Sequence, residues 1–227
     1  MMGQWRLFQA ALRYVLHAPG AVFDSRGFVA PPSASRFIPV AGMVVGTLGA
    51  AVYWLSAQIW PASVAVVLSL TAIALATGRL ATGAARGGSL YAVFFLLLKY
   101  NALMALSSAR SPLLPAEHLT LGFIMIAGHA ASRALVVSVM ATDGAVALHG
   151  AMANRDLAIA LTLGLAPAAL LGIPGLIGLV VAIALRMAVG KWLSPPLVAG
   201  SVRSLDITQQ LTEAGFYLGA LAAWRYV

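Results

Sequence analysis

Gly128-His129-Ala130-Ala131-Ser132-Arg133 sits in the middle of an otherwise apolar run, residues 119–140. A run of about 20 residues is what crossing a bilayer's hydrocarbon core requires. On a helix, His129, Ser132 and Arg133 stand at i, i+3 and i+4 and share one face. An arginine at that depth costs at least about 2.5–3.5 kcal/mol, so it must face protein, water or a counter-charge. Two readings follow: a polar clamp between helices, or a polar site inside a membrane bundle.

A second cation and a group of acids lie in other apolar runs. Lys99, with Tyr100 and Asn101, falls roughly ten residues into a predicted span at 89–106, about 15 Å deep at 1.5 Å per residue. A later helix start would let its amine snorkel to the surface. The last predicted span, 207–224, carries Gln209, Gln210 and Glu213, with Asp206 just before it. Asp206 and Glu213 are two helical turns apart and share a face. We expect Lys99, His129 and Arg133 to oppose Asp206, Gln209 and Glu213 across a cavity open to the cytoplasm. Pairing would lower the cost of burying Arg133 and Glu213, and cations there could hold phosphates.

The elements that must position these groups are membrane helices. Of 227 residues, 61% are hydrophobic and 9% charged, where soluble domains run near 25% charged. The fold class expected is all-α: a polytopic bundle of about seven transmembrane helices plus an N-terminal interfacial helix. Residues 1–36 would form the interfacial helix and a loop, and 37–227 a single bundle domain. Twelve arginines and two lysines against six acids leave a net charge of +8. In this setting the positive-inside rule accounts for the basic excess, and no nucleic-acid partner is called for. Cysteine is absent, which excludes disulfides and thiolate metal sites.

In chain order, Arg6 and Arg13 interrupt any signal-peptide core. Trp5, Phe8, Leu12 and Val15 recur at helical spacing opposite them, as in a helix lying on a membrane. Pro19-Gly20 breaks that helix. Spans are expected at 37–60, 62–77, 89–106, 119–140, 157–171, 176–192 and 207–224. Gly42 and Gly46 form a small-residue strip in the first, and Ile173-Pro174-Gly175 a tight turn before the sixth. Asp143 and His149 fall in a polar loop, and Arg203 and Asp206 in another after Pro195-Pro196. With the N-terminus inside, one side receives Arg6, Arg13, Arg26, Arg36, Arg79, Arg86, Arg155, Arg186, Lys191 and Arg203. The other receives Arg110 and Arg225. That asymmetry predicts N-in, C-out.

No phosphate-binding G-x-x-x-x-G-K-[ST] loop and no H-E-x-x-H occur, and nothing orders a Ser-His-Asp set. The glycine-rich 83–88 segment reads as an interhelical turn.

Several segments, in order, resemble the integral-membrane cobalamin synthases (adenosylcobinamide-GDP ribazoletransferases). Ala11-Leu12-Arg13 through Pro19 is similar to that family's "ALRFLTRLP". Phe37-Ile38-Pro39-Val40-Ala41-Gly42 with Gly46 is similar to its "FPLVG" and following glycine. Thr77-Gly78 matches the start of its "TGG", and residues 96–103 (LLLKYNAL) its "LLLKYALL" helix. Ser132-Arg133 matches an intramembrane Ser-Arg pair. Gly200, Asp206 and Glu213 fall where it carries "GG-x-TGD-x-LGA" and a glutamate seven residues beyond the aspartate. The family's acid-rich "HLDGLADTADG" and "DSR-x-G" segments, implied holders of magnesium at a diphosphate, have no counterpart: no Asp or Glu lies between Asp24 and Glu117. The "TGD" itself is Ser204-Leu205-Asp206, and a "P-x-AR" appears as Thr142-Asp143-Gly144-Ala145.

The resemblance implies joining of adenosylcobinamide-GDP to α-ribazole or its 5′-phosphate, with release of GMP, at the bacterial inner membrane with a cytoplasmic N-terminus. It implies Lys99 and Arg133 as phosphate contacts, Asp206, Glu213 and His129 as catalytic groups, and Asp206 and Glu213 as ligands of magnesium. The partners implied are the lipid bilayer and the corrinoid and ribazole substrates; a bundle of this kind also admits a homo-oligomer. The alternative is a catalytically degenerate relative serving as a membrane scaffold or corrinoid-binding subunit. A small transporter, the third class, lacks the inverted repeat expected in the hydropathy.

Overall fold

A computed structural model describes residues 3–16, 32–78, 89–109, 117–142, 152–192 and 202–224. The described residues are helical, with no strand among them. Helix α1 spans Gln4–Val15, and a short 3-10 turn at Pro32–Phe37 leads into α2, Ile38–Ser56. Then come α3 (Ala62–Ala76), α4 (Ser89–Leu106), α5 (Glu117–Thr142), α6 (Asn154–Ala169), α7 (Ile173–Trp192) and α8 (Val202–Trp224). Every predicted span is a helix. Among the described residues, three stretches are long and apolar enough to cross a membrane: Pro32–Ser56, Leu119–Thr142 and Ile173–Lys191. The predicted turns holding Pro19-Gly20, Arg79, Arg86, Asp143, His149 and Pro195-Pro196 lie outside the described residues.

Helix α5 is the axis. Its membrane-length window is 72% buried, against 28% for α7, and Leu121, Ile124, Ala127, Ala130, Ala131 and Ala134 are fully enclosed. The glycine strip of α2 packs directly on it. A methyl on Gly42 would stand 2.7 Å from the His129 carbonyl oxygen, and one on Gly46 would stand 2.6 Å from the Ile126 Cα. The order of these contacts runs α2 antiparallel to α5. Gly164 of α6 approaches the Ala130 carbonyl and Pro39 in the same way. With no side chains to hold them apart, backbones come close enough for dispersion to replace the missing hydrophobic drive between helices in lipid.

Two boundaries and one helix face differ from expectation. The turn before α7 is at Gly172, whose φ of +68° suits glycine; Ile173, Pro174 and Gly175 begin the helix instead. Proline is tolerated there because a first-turn N–H has no helical partner in any case. Helix α8 starts at Val202, so Arg203 and Asp206 are helical and not in a loop. Helix α1 turns Leu7, Ala11 and Val15 to the bundle, while Trp5 is 67% exposed. Of the expected stripe Trp5, Phe8, Leu12 and Val15, Val15 joins the packed face and the other three flank it.

Candidate functional site

Glu213, on α8, is enclosed. Its Oε1 lies 2.8 Å from Lys99 Nζ of α4, and its Oε2 lies 3.5 Å from His129 Nδ1 of α5. Lys99 also donates to Gln210 Oε1 at 2.6 Å, one turn earlier on α8. Tyr217, one turn later, brings its hydroxyl to 3.5 Å from Glu213 Oε1. Gly128 makes room for that tyrosine ring, which fills the place a side chain would take. Lys99 does not snorkel: it is 5% exposed and its charge is met by Glu213. Burying either ion alone would cost several kcal/mol, so the pair is held by mutual compensation and by the hydrogen bonds from Lys99 to Gln210 and from Tyr217 to Glu213.

A second layer lies one helical turn toward the C-terminal end of α5, about 6 Å along the axis. Arg133 is buried, its aliphatic stem against Gly42. Asp206 is half-buried two turns before Glu213, on the same face of α8. Tyr14 of α1 lies within electrostatic reach of both: burial raises its phenol above the usual value, the Arg133 guanidinium draws it back, and the Asp206 carboxylate raises it again.

The same end of the bundle collects other cations. Arg36 Nη1 meets Asp156 Oδ1 at 3.1 Å, tying the start of α2 to the start of α6, and its Nη2 donates to Gln4 Oε1 at 2.7 Å. Arg186 Nε donates to Ser138 Oγ at 3.1 Å and its Nη2 to Thr142 Oγ1 at 2.9 Å, capping the end of α5.

The helices thus bring Lys99, His129, Gln210 and Glu213 together, and set Arg133 and Asp206 in the adjoining layer. Gln209 and Thr212 are buried beside them on α8. Ser132 donates to the His129 carbonyl at 3.2 Å, bonding its own helix. Asn101 is exposed and donates to the Leu97 carbonyl. Tyr217 and Tyr14 were not anticipated. Tyr217 stands at i+4 from Glu213, so helical spacing alone would have placed it on the site face; nothing in the local pattern of α1 marks Tyr14.

The donor set does not fit magnesium at Glu213. An ammonium sits on one carboxylate oxygen and an imidazole beside the other, and magnesium asks for oxygen ligands. Among the described residues, no cluster of three His, Asp or Glu side chains has a metal-binding arrangement.

Residues 15–84 match the family model of cobalamin-5-phosphate synthase. An adenosylcobinamide-GDP ribazoletransferase of Ralstonia nicotianae is 32% identical over 136 residues, 48% of this chain and 50% of that protein. Over these stretches the chain is similar to the cobalamin synthases. A ribazoletransferase of Ralstonia pickettii is also 32% identical, over 167 residues and 61% of each chain. One of Leptothrix cholodnii is 38% identical over 73 residues, 32% of this chain and 28% of its own length. The chain thus spans between about a quarter and three fifths of the length of these curated cobalamin synthase relatives. No solved structure matches. The 15–84 match includes the glycine strip of α2 but none of Lys99, His129, Arg133, Asp206 and Glu213.

Proposed function

We propose that this chain joins an adenosylcobinamide-GDP to α-ribazole or its 5′-phosphate, releasing GMP, from the basic end of a seven-span bundle. The observation that carries this reading is the gathering of Lys99, His129 and Arg133 against the acids of α8 in a chain related to the cobalamin synthases. The ribazole hydroxyl attacks the phosphorus on the cobinamide side of the diphosphate, the bond to GMP breaks, and the hydroxyl proton passes to a base. Arg133, in the outer layer with Asp206, neutralises the diphosphate. Lys99, held by Glu213, is the second phosphate contact, and His129 or a carboxylate of α8 takes the proton. Magnesium belongs to this reading through the family resemblance alone. Asp206 is the carboxylate that would hold it.

In this reading residues 1–36 are the surface segment and 37–227 the membrane bundle. The N-terminus is cytoplasmic, the membrane is the bacterial inner one, and the gathering of Arg36, Arg155 and Arg186 at one end is its positive side. Self-association is compatible with the lipid-facing sides of α4 and α7.

A second reading, a scaffold or corrinoid-binding subunit, is favoured by one observation: no acid lies between Asp24 and Glu117. Expression in a strain lacking cobalamin synthase, fed cobinamide and dimethylbenzimidazole, separates the two. Growth that Arg133→Gln abolishes supports the transferase. No growth, with corrinoid binding by the purified protein, overturns it in favour of the scaffold.

A further inference from the structure

Helix α1 divides its circumference among three surroundings. Taking about 100° per residue, the stripe Leu7, Ala11, Val15 faces the bundle and is buried. Phe8, Leu12 and Trp5 come next round the helix. Phe8 and Leu12 are half-covered, Trp5 is 67% exposed, and the Trp5 and Phe8 rings lie 5.6 Å apart. Beyond them are Arg13 and Arg6, both exposed and seven residues apart on one side. No acid occurs on this helix. A large exposed indole bordered by two exposed arginines is unfavourable in water and favourable at a membrane–water boundary.

The geometry points to a lipid site: α1 lies in the boundary of the membrane it belongs to, with Trp5 at headgroup depth and Arg6 and Arg13 binding anionic phospholipid headgroups. Charge complementarity selects the occupant, since two exposed arginines on a helix that carries no acid match phosphate, and the apolar sector beside them matches acyl chain. The helix also carries Tyr14 to the Arg133–Asp206 layer, so bound lipid stabilises one wall of that layer. This inference rests on the membrane setting and not on ribazole transfer, so its test uses no activity.

The full chain is placed in phosphatidylcholine nanodiscs containing the same low mole fraction of brominated phosphatidylglycerol or brominated phosphatidylcholine. The Trp5 signal is the difference between wild type and Trp5→Phe. We expect the anionic lipid to quench Trp5 more strongly, approaching about fivefold enrichment per arginine at low salt. That preference should fall as salt rises and vanish in Arg6→Gln/Arg13→Gln. Equal quenching by the two lipids overturns the site, as does a preference that survives the double substitution. Soluble inorganic phosphate at matched ionic strength should leave the preference intact; if it abolishes it, the arginines bind free anion and the lipid site is wrong. The salt and phosphate arms need only wild type and Trp5→Phe, so a misfolded double variant does not blunt the test.

Discussion

Helices α5 and α7 look alike by length and apolar content, yet they live in different surroundings. Both are long and apolar enough to cross a membrane, but α5 is 72% buried and α7 28% over that window. Helix α5 carries His129 and Arg133 at its heart; α7 has no charge until Arg186 near its end. The outward side of α7, with Leu176, Val180 and Met187 all more than half exposed, meets a solvent in which an unpaired charge has no partner. Inside the bundle a charge survives because another helix brings its complement. Polarity within the membrane is therefore a property of pairs of helices, and the same side chain is admissible on one and excluded from the other.

The largest test removes the complement. Lys99→Met or Glu213→Leu alone should destabilise the protein by about 3–5 kcal/mol in detergent unfolding, by stranding a buried charge. The double variant should recover most of that loss. If each single change costs under about 1 kcal/mol, compensation is not what lets α4, α5 and α8 hold charge. A parallel cycle with Arg133→Gln tells whether Glu213 also depends on the outer layer.

A charge placed on the other helix makes the converse test. Val180→Lys should cost about 2.5–3.5 kcal/mol of membrane insertion on α7, read by glycosylation or protease mapping. Insertion unchanged by that lysine would mean that α7 does not face lipid.

Glycines sharpen the contrast next. Gly42→Val drives a side chain into the His129 carbonyl and should lower stability by about 1–3 kcal/mol. On α7, a methyl at Gly190 meets nothing within 4 Å, so Gly190→Ala should be neutral or stabilise by up to about 1 kcal/mol. Equal effects at the two positions would mean that α2 and α5 are not in backbone contact.

Smaller still is the Arg36–Asp156 pair, partly exposed at 15% and 14%. Asp156→Asn should shift stability by about 1 kcal/mol or less, and high salt should erase the difference. Last comes the pH response of Tyr14. Its folded pKa is raised above 10.0, so any stability it contributes is present below that value and is lost as pH rises through the higher folded one. Phenolate absorbance, wild type minus Tyr14→Phe, should titrate above pH 10 in the native protein and near 10 after unfolding.

Much of the site was legible before any coordinates. His129, Arg133, Lys99 and Glu213 stand out because they interrupt apolar runs, and lipid makes such interruptions costly. Gly42 and Gly46 announce a close helix contact by their spacing. What that pattern left open is which groups meet. The pairing of Lys99 with Glu213 depends on α4 and α8 lying side by side, though 114 residues separate the two. Tyr14 was invisible for the same reason: its relevance comes from where α1 rests, not from its neighbours in the chain.

The amino-acid order by itself determined the helices, their membrane character and the small set of polar residues they must shelter, because backbone hydrogen bonding and hydropathy act over one or two turns. Only the tertiary structure decided that α5 is central and α7 peripheral, that Glu213 serves Lys99 and His129, and that α1 turns Leu7, Ala11 and Val15 to the bundle. Those outcomes turn on packing between helices far apart in the chain, where a few ångströms of approach, permitted by a glycine or refused by a side chain, choose the partner.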